Sequence, residues 1–325
     1  MNRIRKLPLL LLLSFLLAAP LAAQEDAVLQ QAAEAGDAEA AFTLGDRSLR
    51  RLDPGDSPER AIEWFERAAQ QGHAGAMHAL GVVYERAPPR WRNPAKALAW
   101  YRKGAENNFA RSQANLGFLL QEGRAVAQDL RAAREWYEKA AAQGEPRAKF
   151  LLGMLYFDAL GVQRDDARAV ALFREAADQG EPGGQYRLAL MLGTGRGVAR
   201  DESAAIELVR KAAAQGHPDA QYYLAEAFAN GAAGLPKDER EAVRWLLKAA
   251  QQEHAEAQFT LVMVYGEGRG VRRNPKESLE WLERAARNGH LKAIDLLSGL
   301  RTRSAAPLGP APSSPVINQP SPSQR

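Results

Sequence analysis

Leucine returns every 36 residues along this chain. Leu44, Leu80, Leu116, Leu152, Leu188 and Leu224 are spaced by 36, and Leu261 follows after 37. A polar or glycine position keeps the same step: Gly72, Asn108, Gly144, Gly180 and Gly216 by 36, Glu253 by 37, Gly289 by 36. Both rulers slip by one between Leu224 and Glu253, which places a single inserted residue in Gly231–Pro236. A fixed period of this length marks stacked supersecondary units. The chain therefore reads as an all-α solenoid of seven 36-residue two-helix repeats, which offers an extended surface rather than a closed pocket.

Each repeat holds two helices. Helix A surrounds the leucine ruler, with Ala40, Ala76, Ser112, Ala148, Gly184, Ala220 and Ala257 four residues before it. Just after it stand Gly45, Gly81, Gly117 and Gly153, then Ala189, Ala225 and Val262. Small residues there let a neighbouring helix come close, which offsets the roughly 1 kcal/mol that glycine costs inside a helix. The following Gly195-Arg196-Gly197-Val198 and Gly268-Arg269-Gly270-Val271 recur at one repeat position, so they are interhelical turns rather than phosphate cradles. Helix B opens on Ser57, Asn93, Asp129, Asp165, Asp201, Asp238 and Asn274, all residues that cap a helix start. Proline follows three of these caps, at Pro58, Pro94 and Pro275, where its missing N–H costs nothing. Glu241 and Glu277, three residues after the last two caps, suit capping boxes. Helix B ends on the second ruler, where Gly or Asn supplies a left-handed turn in six of seven repeats. Trp64, Trp100, Trp136, Leu172, Leu208, Trp245 and Trp281 recur in register inside helix B, each four residues before Ala or Gly, and read as core. The pairs Glu63/Arg67, Glu135/Lys139, Glu207/Lys211 and Glu280/Arg284 sit four apart, as on a solvated face.

Half-repeats close the array. Val28, Ala32, Ala33 and Gly36 stand one period before Trp64, Ala68, Ala69 and Gly72, so residues 25–35 form a lone helix B. Ala293 and Leu297 stand one period after Ala257 and Leu261, so 291–300 form a lone helix A. The solenoid thus spans 24–300, with repeats over about 38–289 between the two cap helices. Ahead of it, Arg3, Arg5 and Lys6, the apolar run Leu7–Leu17 and the small residues Ala18–Ala23 have the layout of a signal peptide cut after Ala23. The apolar run falls short of the roughly 18–20 residues of a spanning helix, so no stable membrane anchor is expected. Residues 301–325 are rich in Pro, Ser and Ala without apolar periodicity and read as a disordered tail. These ends distort the charge. The formal +4 falls to +1 without the three leader cations, and to −2 without Arg301, Arg303 and Arg325. A nucleic-acid partner, which calls for a basic domain, is not expected.

Several stretches resemble a known family. Ala220-Gln221-Tyr222-Tyr223-Leu224-Ala225, the Gly-x-Gly-Val turns and Trp136-Tyr137-Glu138-Lys139-Ala140-Ala141-Ala142-Gln143-Gly144 are similar to Sel-one-like repeats, relatives of the tetratricopeptide repeat. The resemblance covers about 24–300 and implies a right-handed α/α superhelix that works as an interaction scaffold. It also implies that helix A lines a concave groove. Cysteine-rich bacterial members are associated with penicillin binding or β-lactamase activity. This chain has no cysteine and no Ser-x-x-Lys, so that association carries over poorly.

Other chemistry is sparse. Gly-x-Ser-x-Gly, His-Glu-x-x-His and Gly-x-x-x-x-Gly-Lys do not occur, so no catalytic residue, cofactor or metal is expected. Four of the five histidines, His73, His217, His254 and His290, hold one repeat position and read as repeat consensus, as does the column Gln113, Gln185, Gln221 and Gln258 with Lys149 in line. The variable residues of helix A remain as candidate groove contacts. They are Asn115, Arg187, Tyr223 and Thr260 just before the leucines, and Arg111, Arg147, Asp219 and Glu256 one turn earlier. The change from arginines to acids gives these positions a charge gradient. Trp91, between Arg90 and Arg92 in a polar loop, is a candidate loop contact. The resulting expectation is an exported, periplasmic or secreted, non-catalytic scaffold that binds a protein or peptide. The alternative is a cell-envelope enzyme or a peptidoglycan-type ligand-binding protein, which a convergent polar cluster breaking the repeat would favour; the sequence shows none.

Overall fold

The computed structural model describes residues 21–51 and 58–305. Most of the leader, the expected cap Ser57 and the tail from 306 lie outside the described residues. The chain divides into two compact units, residues 1–211 and 212–325. Among the described residues there are sixteen helices and no strand.

In the first unit the A helices are α2 (Ala38–Arg50), α4 (Ala74–Arg86), α6 (Ala110–Glu122), α8 (Pro146–Asp158) and α10 (Pro182–Thr194). Its B helices are α1 (Leu21–Glu34), α3 (Glu59–Gln70), α5 (Pro94–Glu106), α7 (Leu130–Ala142) and α9 (Asp166–Asp178), and α11 (Glu202–Ala214) carries its last residues. The second unit contains α12 (Pro218–Asn230), α13 (Glu239–Gln251), α14 (Ala255–Glu267), α15 (Pro275–Arg287) and α16 (Leu291–Ala305). A helices pack on the B helix that follows, as in α2 on α3, α4 on α5, α6 on α7, α8 on α9, α12 on α13 and α14 on α15. The architecture is an α/α solenoid. Helices α1 and α16 run past the expected caps, starting at Leu21 and ending at Ala305. The extra residue of the sixth repeat sits in the α12–α13 turn, which counts eight residues against seven between α14 and α15.

Every leucine of the ruler is buried, from 0 % exposure at Leu80 to 6 % at Leu44. The glycine after each one forms a notch. A Cβ on Gly45 would fall 2.5 Å from Phe65 Cδ1, on Gly117 2.7 Å from Tyr137 Cε1 and on Gly153 2.7 Å from Phe173 Cε1, and Gly81 is tighter still against Tyr101. These rings are at most 1 % exposed. Where the notch is Ala189, Ala225 or Val262, the facing column holds the smaller Val209, Leu246 and Leu282. Close packing requires this exchange, because an interior at crystal-like density has no room for both a ring and an extra methyl. The tyrosine hydroxyls are not stranded: Tyr101 donates to Glu85 Oε2 (2.7 Å) and Tyr137 to Gln121 Oε1 (3.0 Å). Burial pushes both phenols far above their usual range.

This corrects the reading of the tryptophans as core. Trp64 and Trp281 are buried, but Trp100, Trp136 and Trp245 are only half-buried, and the deepest column is the next residue along. One face of each tryptophan packs inward. The other carries a cation one turn on: Arg67, Lys103, Lys139, Lys248 and Arg284 lie 3.7–4.7 Å from the ring centroids. Arg67, Lys139 and Arg284, three of the expected four-apart partners, take up this arrangement, and Glu207 faces Arg210 rather than Lys211. Glu135 accepts from Arg131 and Glu280 pairs with Lys276 instead.

The caps form as the sequence dictates. Asn93, Asp129, Asp165, Asp201, Asp238 and Asn274 each accept a backbone N–H of the first turn at 2.9–3.3 Å. Glu241 turns to Arg244 (2.7 Å). At the second ruler all seven residues are left-handed, not six, because Glu253 takes φ 65° where five others are glycine and one is Asn108.

Two outcomes test these points. Gly117→Ala should destabilise the chain by about 1 kcal/mol or more, because overpacking outweighs alanine's helical advantage of about 1 kcal/mol. Combined with Tyr137→Val, which recreates the Ala189/Val209 pairing, it should cost at least 1 kcal/mol less than the sum of the two single changes, by roughly the size of a contact coupling; strictly additive denaturation midpoints would refute the notch. Glu253→Gly should stabilise by about 1 kcal/mol through relief of left-handed strain, read as a rise in the urea midpoint at unchanged slope.

Candidate functional site

The A helices carry the variable positions, and in the first unit α4, α6, α8 and α10 touch in succession. Two inter-helix devices use part of that face. The first is a histidine clip. His73 Nδ1 accepts the N–H of Ala76 (3.0 Å), His254 that of Ala257 (3.1 Å) and His290 that of Ala293 (3.2 Å), so the histidine column caps A helices. A ring nitrogen that accepts a backbone N–H carries no proton, which leaves Nε2–H as donor. Those Nε2 atoms meet Glu39 (3.0 Å), Asp219 (3.1 Å) and Glu256 (3.2 Å). The rings also stack on Phe42, Tyr222 and Phe259. His217 likewise caps α12 through Ala220 N–H (3.4 Å). Where the acid is replaced by Arg111, the histidine position holds Glu145, 3.9 Å away.

The second device is a buried glutamine ladder. Gln113, Gln185, Gln221 and Gln258 donate to carbonyls in the last turn of the preceding B helix, at 3.0–3.4 Å. The free oxygens of Gln113, Gln221 and Gln258 accept from Gln143, Gln252 and Asn288. Orphan carbonyls at a helix end are thereby satisfied without water.

Of the candidate contacts, the structure brings two together. Asn115 bridges His78 Nε2 (3.2 Å) and the Arg147 guanidinium (3.3 Å). This three-residue string crosses α4, α6 and α8, and it is the polar convergence that the sequence did not reveal, because its members lie 32 and 37 residues apart. Burial, and then the charges of Arg111, Arg147 and Arg86, pull His78 down to about 4 from 6.5. Arg147 also lies 5.7 Å from the Phe118 ring, with Arg124 at 5.5 Å from it. One repeat on, Arg187 stands 5.7 Å from Phe157, with Arg196 at 3.8 Å. Arg196 forks onto Asp166 at 2.8 and 2.7 Å and, with Arg164, holds that carboxyl below the usual carboxylate range. Phe118 and Phe157 were missed because they occupy different repeat positions and leave no column to read. In this unit the A-helix face is therefore aromatic and basic.

The candidates of the second unit behave differently. Asp219 and Glu256 serve the histidine clips, Thr260 donates back to the Glu256 carbonyl (2.8 Å), and Tyr223 is half-buried. The expected change of charge along the A helices is thus partly a series of matched pairs. Trp91 donates to Glu59 on α3 (3.3 Å) beneath the Arg90 guanidinium, 3.5 Å away. It lines an open recess of about 340 Å³ with Tyr84 and Lys96. Among the described residues, no helix is long and apolar enough to cross a membrane, and no cluster of three metal-ligating side chains occurs.

His78 carries a pH prediction. Its ring holds a proton less tightly folded than unfolded, so its contribution is full above pH 6.5 and drains away as pH falls toward 4. Acidification across that window should cost roughly 2–3 kcal/mol at this site. A His78→Gln variant should show a shallower pH dependence of the denaturation midpoint; an identical slope would show that His78 does not titrate there.

Comparison with known proteins follows the same lines. A comparison with curated proteins found no match. Among solved structures, a Sel1 repeat protein from Oxalobacter formigenes is 26 % identical, with a TM-score of 0.62, covering 75 % of this chain and 96 % of that one. A protective antigen of uropathogenic Escherichia coli strains displaying an SLR fold is 29 % identical, with a TM-score of 0.49, covering 86 % and 68 %. The family model described as Sel1 repeat matches seven times, at residues 38–73, 74–109, 110–145, 146–181, 182–217, 218–254 and 255–290. With all seven two-helix units matched in register, the chain belongs to the Sel1 repeat family.

Proposed function

We propose that this protein is an exported scaffold that binds an extended protein segment along its A helices. The observation that carries this reading is the face of α6, α8 and α10, where Phe118 and Phe157 are each flanked by two arginines. Such rings give a flat apolar contact, and of the guanidinium groups beside them Arg147 and Arg187 suit carboxylates by charge and forked geometry, Arg196 being already forked onto Asp166. Asn115 holds Arg147 in place from one side, which lowers the entropy cost of engaging it. The partner segment is accordingly acidic, with apolar residues between its carboxylates. Export rests on the charged, apolar and small-residue order of Met1–Ala23, with Gln24 as the mature N-terminus.

The test is in-cell photo-crosslinking from position 118, with and without Arg147→Ala and Arg187→Ala in the same chain. A defined protein adduct, reduced at least tenfold in the variant at unchanged helicity and weakened by salt, is the expected result. Cell-wall fragments copurifying equally with both proteins, without such an adduct, would overturn it in favour of an envelope ligand-binding role. Mass spectrometry of the exported chain should begin at Gln24.

A further inference from the structure

The array ends in two unpaired half-repeats of opposite kind. Helix α16 is an A helix in every local respect: His290 caps it, and Ala293 is fully buried in the alanine column. Yet positions that a following B helix covers elsewhere are open on it. Leu300 shares a column with Val83, Leu119, Leu155, Met191 and Val264, none more than 6 % exposed, but is itself 50 % exposed. Ile294, in the column of the buried glutamines, is 42 % exposed. Ser298, in the notch column, is exposed as well. What is missing is one B helix.

Helix α1 is the converse. It is a B helix with no A helix before it among the described residues. Leu29 stands in the deep ring column and Ala32 in the alanine column that follows, yet both are only half-buried, and Val28 is 64 % exposed. The charges of the two ends are also opposite. Helix α1 carries Glu25, Asp26 and Glu34 with no basic residue, whereas α16 carries Lys292, Arg301 and Arg303 against Asp295. In a helix-A/helix-B pair the end of A meets the start of B. That sets the start of α1, where Glu25 and Asp26 are held by Arg47 of α2 and by Arg51 just after it, beside the end of α16. The segment after α16 is a poor substitute, since residues 306–325 contain six prolines and a thirteen-residue B helix accepts proline only at its start.

We propose that α16 of one molecule takes α1 of a second copy as its missing B helix, so that the two half-repeats complete an eighth repeat head to tail. The contact is heterologous: each molecule offers one donor end and one acceptor end. The contact is a single helix pair between molecules, so assembly depends on concentration. It uses neither Arg147 nor Arg187, and its fate is separate from that of the partner face.

Sedimentation of the purified chain over a concentration series, up to high concentration, tests the proposal. Val28→Glu blocks one end and Leu300→Glu the other; both side chains are exposed, so helicity and melting should be unchanged. Each variant alone should stay monomeric where the parent chain forms larger species, with at least a tenfold loss of association. An equimolar mixture of the two should form a 1:1 dimer and nothing larger, because one intact donor meets one intact acceptor. A parent chain that is monomeric throughout, a larger species that survives Val28→Glu, or a mixture that stays monomeric would each overturn it.

Discussion

The fit of one ring into one notch governs this fold. An A helix and a B helix reach packing distance only because the residue after each ruler leucine is small, and the B helix fills the gap with a side chain matched to it. Four repeats use glycine against Phe or Tyr; three use a larger notch residue against Val or Leu. Wherever the notch residue is larger than glycine its partner is smaller than a ring, so composition drifts by compensated exchange. The tryptophans sit one position further out, where a flat ring can bury one face and hold a cation on the other. Their size keeps them from the notch.

Polar groups between neighbouring repeats are handled with equal economy. The glutamine ladder closes the carbonyl ends of the B helices, and the histidine clips close the amide ends of A helices while reaching back to an acid. Both devices are buried or half-buried, where an unmade hydrogen bond costs most. Side chains that do neither job are free to vary, and in the first unit those are the arginines and phenylalanines around Asn115. The proposed binding face is what remains after the solenoid has satisfied itself.

Local backbone features were legible in the chain: caps, left-handed turns, the period and the inserted residue all depend on residues within a few positions of one another. The inner ring column was harder. Tyr137 lies beside Trp136, and an amphipathic stripe wide enough for both does not say which points deeper; only the notch on another helix decides. Histidine was read as consensus because its capping bond uses a ring nitrogen in place of the usual hydroxyl or carboxylate. The His78–Asn115–Arg147 string and the two phenylalanines were invisible, since no periodic rule links side chains that occupy different columns of different repeats.

The clip has a consequence for how such chains can grow. Glu39 and His73 fall within one matched repeat, 38–73, as do Arg111 and Glu145 in 110–145, Asp219 and His254 in 218–254, and Glu256 and His290 in 255–290. A duplication or excision framed at those boundaries carries both members together and always yields matched charges. The same event framed at the Gly-x-Gly turns would separate them, setting Arg111 opposite a histidine or an acid opposite Glu145. Recombination at the matched boundaries therefore keeps every clip whole, whereas recombination at the turns breaks them.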